Sequence, residues 1–154
     1  MPRKTLDILA VKAGVIVHPV NCSGTISSGF SKQLINKYPA VLKDYLSKSS
    51  NRSPFKILGK SSPVQISKQL SVANAYCQVS SNGQSKFEYL AFKSCLEQIK
   101  QEMPEAHFYF PYKLGCGLQG GNWKDIESLI HSIISNYTIC ILPPTNAKQT
   151  QTHR

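Results

Sequence analysis

The stretch that decides the fold covers residues 15–32 and reads V-I-V-H-P-V-N-C-S-G-T-I-S-S-G-F-S-K. It begins with the apolar, β-branched residues 15–17, which predict a buried strand. A polar loop is expected over residues 18–28, and Gly29 and Phe30 then begin a helical pattern. Small residues between a strand and a helix N-terminus let backbone N–H groups approach an anion, which the helix dipole also favours. The stretch therefore predicts a phosphate-binding loop.

A second stretch near the other end has the same organisation. Residues 108–110 predict a strand, residues 115–121 (G-C-G-L-Q-G-G) a loop, and Asn122 the N-cap of a last helix. Neither loop matches G-x-G-x-x-G or the Walker A pattern, and Gly-Cys-Gly alone is equally compatible with a tight turn. Because two such loops occur in one small chain, we nevertheless expect them to form the two sides of a site that binds a diphosphate.

Length and composition limit the class of protein. The 154 residues fit one domain, expected over residues 1–142, followed by a basic, disordered tail over residues 143–154. No apolar run reaches the ~18 residues that a membrane span needs, so no membrane association is expected. The N-terminal Met-Pro-Arg-Lys does not resemble a signal peptide. The five cysteines form no C-x-x-C motif, which argues against a disulfide framework or a metal site and favours the cytoplasm, or a host's cytoplasm for a viral chain.

The formal net charge of +10 predicts attraction to anions such as nucleotides, nucleic acid or acidic proteins. A lysine-rich solvated surface explains the same charge equally well. Nucleic-acid-binding modules usually combine basic residues with stacking aromatics on one face, and the sequence contains no recognition signature of that kind. Nucleic acid remains an alternative partner through the basic surface.

The remaining pattern alternates strands with about three helices. Helical periodicity begins at Phe30 and is expected to break at Tyr38–Pro39, because proline removes a backbone N–H and clashes with the preceding turn. Further segments follow in order: strands near residues 5–9, 57–59, 64–66 and 70–77, a turn or longer loop within 79–86, helices over 92–103 and 126–134, and a last strand over 137–142. This order predicts an α/β/α sandwich with a mixed, largely parallel sheet. In such sheets ligands bind beyond the carboxyl ends of the strands, where both loops lie.

Several residues in the loops allow two interpretations. Asn21 is either a turn residue that satisfies its own backbone or an amide that orients a water or a ligand hydroxyl. His18 is either structural or catalytic. Cys22 and Cys116 would need a neighbouring base to act as nucleophiles, and the sequence places none beside them.

Taken together, these motifs resemble the macro domain family over about residues 5–142. Leu6-Asp7-Ile8 resembles the family's Gly-Asp-Ile element, and residues 16–21 resemble the strand that ends in an asparagine at the distal ribose. Ser27-Ser28-Gly29-Phe30 resembles the first phosphate loop. The other matching segments are residues 72–78, and Pro111 followed by residues 115–123, which is the most specific motif. The similarity is greatest to the phage and microbial branch related to yeast ADP-ribose 1''-phosphate phosphatase and terminal ADP-ribose protein glycohydrolase.

The resemblance implies that ADP-ribose or a derivative binds across the top of the sheet, with no cofactor. Asp7 would accept a hydrogen bond from the adenine amino group, and the Ile8 N–H would also contact adenine. Asn21 would hold the distal ribose or position a water. The diphosphate and distal ribose would be surrounded by Ser27, Ser28, Gly29 and Phe30 on one side and by Gly115, Cys116, Gly117, Leu118 and Gln119 on the other.

Two departures from the glycohydrolase branch bear on activity. Gln78 stands where that branch has a lysine, and Gln119 where it has an aspartate. A glutamine can orient water but cannot act as a general base near neutral pH, so a lysine-adduct mechanism is not expected. Asn21 and His18 are then the candidate catalytic residues, positioning a water that hydrolyses ADP-ribose 1''-phosphate or, as a second choice, a protein-linked ADP-ribose ester. The alternatives are a non-catalytic reader of ADP-ribose and a nucleic-acid-binding module.

Overall fold

A computed structural model describes residues 2–26, 29–50, 53–81 and 84–143. Ser27 and Ser28 of the predicted first phosphate loop lie outside the described residues, as do residues 144–154 of the predicted tail. The strands are β1 Arg3–Thr5, β2 Gly14–Asn21, β3 Ser61–Gln65, β4 Leu70–Ser81, β5 Gln84–Phe87, β6 Phe108–Pro111 and β7 Tyr137–Ile141. The helices are α1 Gly29–Lys37, α2 Pro39–Ser49, α3 Pro54–Ile57, α4 Tyr89–Glu102 and α5 Trp123–Ile133, with a 3-10 turn at Ile8–Ala10.

Within the described residues the strands form one seven-stranded sheet in the order β1-β7-β6-β2-β4-β3, and β5 also pairs with β4. The pairings of β1 with β7, β7 with β6, β6 with β2 and β2 with β4 are all parallel. The pairings of β3 and β5 with β4 are antiparallel. This arrangement confirms the predicted α/β class with a mixed, largely parallel sheet.

Residues of β2 alternate between two cores, one on each face of the sheet. Val15 and Val17 pack in a cluster that includes Phe92 of α4 and Ile130 of α5. Ile16 packs in a second cluster with residues of α1 and α2. Because successive side chains of a strand point to opposite faces, a run that is apolar throughout needs helices on both sides. The sheet is therefore the middle of three layers.

The residue pattern predicts a loop from His18, whereas the resemblance predicts a strand that ends at Asn21. The strand is confirmed: β2 continues through Asn21 because its backbone pairs with β4 along the whole length, with His18 opposite Asn74. Burial of His18 is tolerated because both ring nitrogens have hydrogen-bond partners. A polar side chain was therefore a poor marker of where this strand ends.

Other local predictions had mixed outcomes. The break at Pro39 is confirmed, since α1 ends at Lys37 and α2 begins at Pro39. The strand predicted over residues 57–59 is wrong: Pro54–Ile57 forms a short helix with proline at its start, where a missing N–H costs nothing.

The strand expected over residues 5–9 is also wrong, because the chain turns at Ile8–Ala10 and the Asp7 carboxylate caps that turn by accepting from the Leu9 N–H at 3.0 Å.

A turn or longer loop is predicted within residues 79–86. The flanking residues form the end of β4 and most of β5, which pair antiparallel with each other, and residues 82–83 between them lie outside the described residues.

Within the described residues, the structure contains no helix with both the length and the apolar character needed to cross a membrane.

Candidate functional site

The carboxyl ends of β2, β4, β6 and β7 lie along the same edge of the sheet because these strands are parallel. The N-terminus of α1 and the chain that follows β6 both start from this edge. Two adjoining cavities open there, and together they form the cleft that we describe as the candidate site.

The inner cavity, of about 250 Å³, brings residues of both predicted loops together. Its walls include Asn21 at the end of β2, Phe30 at the start of α1, and Gly115, Gly117 and Gln119. The other lining residues are Pro19, Val20, Thr25, Ile26, Ser31, Gln78, Ser85, Pro111, Tyr112, Lys113 and Leu114.

The outer cavity, of about 460 Å³, contains the other predicted residues. Asp7 and Ile8 line it from the 3-10 turn, and Gly29 lines it from α1. The remaining lining residues are Leu6, Leu9, Phe30, Gln33, Pro111, Tyr112, Cys140, Ile141 and Leu142. Phe30, Pro111 and Tyr112 line both cavities, so one elongated cleft runs from Asp7 to Asn21.

The Asn21 side chain is 7 % exposed and orders the loop that follows β2. Its Nδ2 donates to the Thr25 carbonyl at 2.9 Å, and its Oδ1 accepts from the Ser23 backbone N–H at 3.0 Å. The buried Tyr45 hydroxyl of α2 also donates to Oδ1. This hydroxyl is protonated at neutral pH, and burial raises its pKa further, to about 12.

His18 is fully buried and reaches the cleft only through another side chain. Its Nδ1 lies 2.8 Å from Asn74 Oδ1 in β4, and its Nε2 lies 2.7 Å from Ser31 Oγ in α1. Ser31 lines the inner cavity, whereas His18 lines neither cavity. Burial lowers the pKa of His18 to about 4, partly offset by the hydrogen bond to Asn74, so the imidazole is neutral at pH 7.

The second loop is shaped by tight packing around Gly115. This glycine is buried with φ +72°, and a Cβ there would lie 2.4 Å from Cδ1 of Phe87. The loop closes through the Gly121 N–H, which donates to the Gly115 carbonyl at 2.8 Å. The predicted helix cap is confirmed, since the Asn122 side chain accepts from the Asp125 N–H at 3.1 Å.

The cavities include some predicted loop residues and omit others. Cys116 and Leu118 line neither cavity. The Cys116 thiol donates to the Leu114 carbonyl at 3.4 Å, and its pKa is raised mainly by burial, which opposes a role as a thiolate nucleophile. The Leu118 side chain is 84 % exposed.

Sequence reasoning missed several lining residues, notably Ser31, Tyr112 and Lys113. Lys113 has φ 61°, in the left-handed region, and its Nζ lies 5.5 Å from the Tyr112 ring centroid. Among the described residues, Lys113 is the one basic side chain of the lysine or arginine type that lines the inner cavity, and no aspartate or glutamate lines it. Ser31 could have been found from its place in the first turn after the Gly29 loop, but Tyr112 and Lys113 belong to a turn with no sequence motif.

The chemistry of the cleft follows from these contacts. Its outer end offers the Asp7 carboxylate and apolar walls, its middle offers the α1 N-terminus and a glycine loop, and its inner end offers side-chain amides. An anion is favoured in the middle by the helix dipole and by Lys113. The arrangement suits a long ligand with a flat polar group at one end and an anionic centre.

Comparison with known proteins supports this description. No family model matches the chain. An uncharacterized 17.5 kDa protein from the tk-vs intergenic region of Enterobacteria phage T4 is 27% identical over 135 residues, which cover 82% of this chain and 84% of that protein. A solved protein of unknown function from Bacteroides thetaiotaomicron superposes with a TM-score of 0.80 at 26% identity, covering 91% of this chain and 96% of that chain.

Two further solved structures carry informative names. The macrodomain of Mycobacterium tuberculosis DarG superposes with a TM-score of 0.69 at 21% identity and covers 92% of this chain and 96% of that chain. Thermosipho africanus DarTG in complex with ADP-ribose superposes with a TM-score of 0.64 at 18% identity, over 86% of this chain and 38% of that chain. At these identities the likeness establishes the fold.

Proposed function

Because the chain has the macro domain fold, we propose that its cleft binds ADP-ribose. The observation that carries this proposal is the continuity of the two cavities through Phe30, Pro111 and Tyr112. Adenine lies in the outer cavity, where one oxygen of Asp7 caps the 3-10 turn and the other accepts from the adenine amino group. The diphosphate lies between the start of α1 and the Gly115 loop. The distal ribose occupies the inner cavity beside Asn21.

We further propose that the protein hydrolyses ADP-ribose 1''-phosphate to ADP-ribose. Backbone N–H groups at the start of α1 and Lys113 hold the phosphates, and catalysis is mainly positioning and electrostatic stabilisation. Asn21 aligns the attacking water, directly or by fixing the loop through Thr25 and Ser23, and His18 acts on the cavity through Ser31. This role of Asn21 requires that Asn21→Ala lose most of its turnover.

A non-catalytic reader of ADP-ribose is the second candidate, and one observation favours it. Gln78 and Gln119 line the inner cavity, and an amide is neither an acid nor a base near neutral pH. Reader and hydrolase share the same binding mode, so they differ only in turnover. A nucleic-acid partner has only the net charge in its favour.

Calorimetric titration with ADP-ribose, using AMP as the control ligand, tests the binding proposal. We expect micromolar affinity for ADP-ribose that AMP does not reproduce. Gly29→Glu should abolish binding, because position 29 lines the outer cavity and a carboxylate there repels the diphosphate. Gly29→Ala is the matched control: its Cβ meets no atom within 4 Å, so it should bind normally.

Phosphate release from ADP-ribose 1''-phosphate then separates the two candidates. Turnover that is lost in Asn21→Ala supports the hydrolase. Tight binding without turnover of any ADP-ribose ester or phosphate supports the reader. Absence of ADP-ribose binding in the wild-type protein contradicts both.

A further inference from the structure

A third cavity, of about 310 Å³, lies beside β3, the last strand of the sheet within the described residues. It is separate from the cleft, since none of its lining residues lines either cavity of the candidate site. Its volume is at the lower end of the range for small-molecule sites, about 300–1,000 Å³. Lys48 of α2 and Lys60 line it, and no aspartate or glutamate does so among the described residues. Two positive charges in one small cavity repel each other unless an anion lies between them.

Lys48 is held at the wall of this cavity by two acceptors. Its Nζ donates to Asp44 Oδ1 and to Ser62 Oγ, both at 2.6 Å. An ammonium group carries three hydrogens, so one has no acceptor among the described residues. Asp44 does not line the cavity, and its other oxygen accepts from the Asn74 amide at 3.2 Å. Asp44 therefore fixes the position of the Lys48 ammonium without presenting a negative charge to the cavity.

Other groups around the cavity also have hydrogens left to donate. Ser62 is 7 % exposed, and because its hydroxyl oxygen accepts from Lys48, its proton has no acceptor in the described part of the chain. The Gln98 amide accepts from the Ser61 N–H at 2.8 Å and donates once, to the Ser61 carbonyl at 3.3 Å, so its second N–H remains. The Lys60 ammonium makes no hydrogen bond or ion pair with a described residue. Buried donors without acceptors cost free energy, which a bound anion would recover.

The charge of the chain is concentrated in the segment that supplies most of this cavity. Between residues 8 and 87, Asp44 is the one acidic residue, against ten lysines and arginines. Residues 88–143, which include α4 and α5, contain six acidic residues and four basic ones. Because Asp44 is already paired with Lys48, the cavity lies in a region of positive potential that attracts anions.

We propose that this cavity binds a phosphate group, whose oxygens accept from Lys48, Lys60 and the Ser62 hydroxyl. Lysine binds phosphate as a point charge, and a tetrahedral oxyanion has acceptor oxygens for donors that approach from several directions. The group is either free inorganic phosphate or a phosphodiester of a polynucleotide, which share this chemistry. The inference does not rest on the proposed function, because none of these residues lines the cleft.

Residue-resolved NMR titration of the full chain with inorganic phosphate tests the proposal. Phosphate replaces chloride at constant ionic strength, so that general screening does not change during the titration. We expect saturable shifts of the Ser61 and Ser62 backbone amides and of the Gln98 side-chain amide, with a millimolar dissociation constant. The backbone amides of Gly115 and Gly117 report any phosphate bound in the cleft, so that the two sites are measured separately.

Two variants separate a built site from general surface charge. Lys60→Gln should weaken phosphate binding at the cavity about tenfold, the effect of losing one charge-assisted contact. The Lys60 ammonium has no partner to lose among the described residues, so the free energy of unfolding should be unchanged. Lys56→Gln is the matched control: it removes the same charge from an exposed lysine of α3 that does not line the cavity, and it should bind phosphate like the wild-type protein.

A second titration, with single-stranded oligothymidylate, identifies the source of the phosphate group. Tighter binding of the oligonucleotide than of inorganic phosphate at Ser61 and Ser62 assigns the site to a polynucleotide phosphodiester, and binding of inorganic phosphate alone assigns it to the free ion. The proposal is overturned if neither probe shifts these amides. It is equally overturned if Lys60→Gln and Lys56→Gln lose the same affinity, since the attraction would then come from the surface charge as a whole.

Discussion

The Tyr45 hydroxyl donates to the Asn21 amide oxygen and accepts from the Gly24 backbone N–H at 2.9 Å. Tyr45 is fully buried in α2, and its ring stacks on Tyr76 of β4 with centroids 5.9 Å apart. One phenol thus connects the second helix to the end of β2 and to the loop that leads toward α1. The shape of the inner cavity therefore depends on a residue that does not line it.

Tyr45→Phe should destabilise the protein by about 1–3 kcal/mol, because the half-buried Gly24 N–H loses its acceptor and the Asn21 amide oxygen loses one of its donors. It should also weaken ADP-ribose binding, since the loop after Asn21 loses an anchor. Urea unfolding and calorimetry measure the two effects. Tyr38→Phe, at a half-buried tyrosine between α1 and α2, is the control and should change neither quantity; equal effects in both variants would contradict the prediction.

Stability should fall as the pH drops from about 6.5 to about 4 because of His18. Its pKa in the folded chain is about 4, below the ordinary value of 6.5, so within this window the unfolded chain binds a proton that the folded chain excludes. Above pH 6.5 neither state is protonated and the effect is absent. The total loss is about 3 kcal/mol, at 1.4 kcal/mol for each unit of pKa difference.

Urea unfolding across this pH range measures the slope, and His18→Gln should flatten it. The Glu127 carboxylate, whose pKa is lowered mainly by its hydrogen bond from Arg3, adds a loss only at the acidic end. A wild-type stability that is constant between pH 6.5 and 5 would contradict the buried neutral imidazole.

Gly115→Ala should destabilise the protein by about 1–3 kcal/mol, as overpacking and a disfavoured backbone conformation combine. The new Cβ would meet the Phe87 ring at 2.4 Å, and φ is +72°. Gly117→Ala, in the same loop but with its nearest side-chain atom at 3.5 Å, should cost far less. Thermal or urea unfolding of the two variants measures the difference in stability. Equal stabilities would show that the Phe87 contact does not constrain the loop.

Asp7→Ala should weaken the binding of ADP-ribose about tenfold, the effect of losing one charge-assisted hydrogen bond. Removal of a negative charge by itself should favour an anionic ligand, so a loss means that the carboxylate acts on the ligand directly or through the 3-10 turn that it caps. Asp125→Ala removes the same charge at an exposed position on α5 that lines neither cavity. Calorimetry of both variants with ADP-ribose measures this effect. An equal loss of affinity in both variants would contradict the proposed contact between Asp7 and adenine.

Much of the fold could be predicted from local pattern. The apolar run at residues 15–17, the helix break at Pro39 and the Asn122 cap each follow from short-range chemistry, and the structure contains all three. The extent of β2 could not be predicted from local pattern, because pairing with β4 overrides the polarity of His18 and Asn21. The helix at Pro54–Ile57 was missed for a similar reason: an apolar run of three residues does not distinguish a strand from one helical turn.

The candidate site, like the fold, could be predicted from the sequence only in part. The sequence by itself determined that two glycine-containing loops each follow a strand and precede a helix, because strand ends and helix starts have local signatures. Only the tertiary structure decided that Asn74, 56 residues away, holds His18 against Ser31, and that Lys113 reaches the cavity. Periodicity reports which face of an element is buried, whereas which strands become neighbours, and in what register, depends on the packing of the whole sheet.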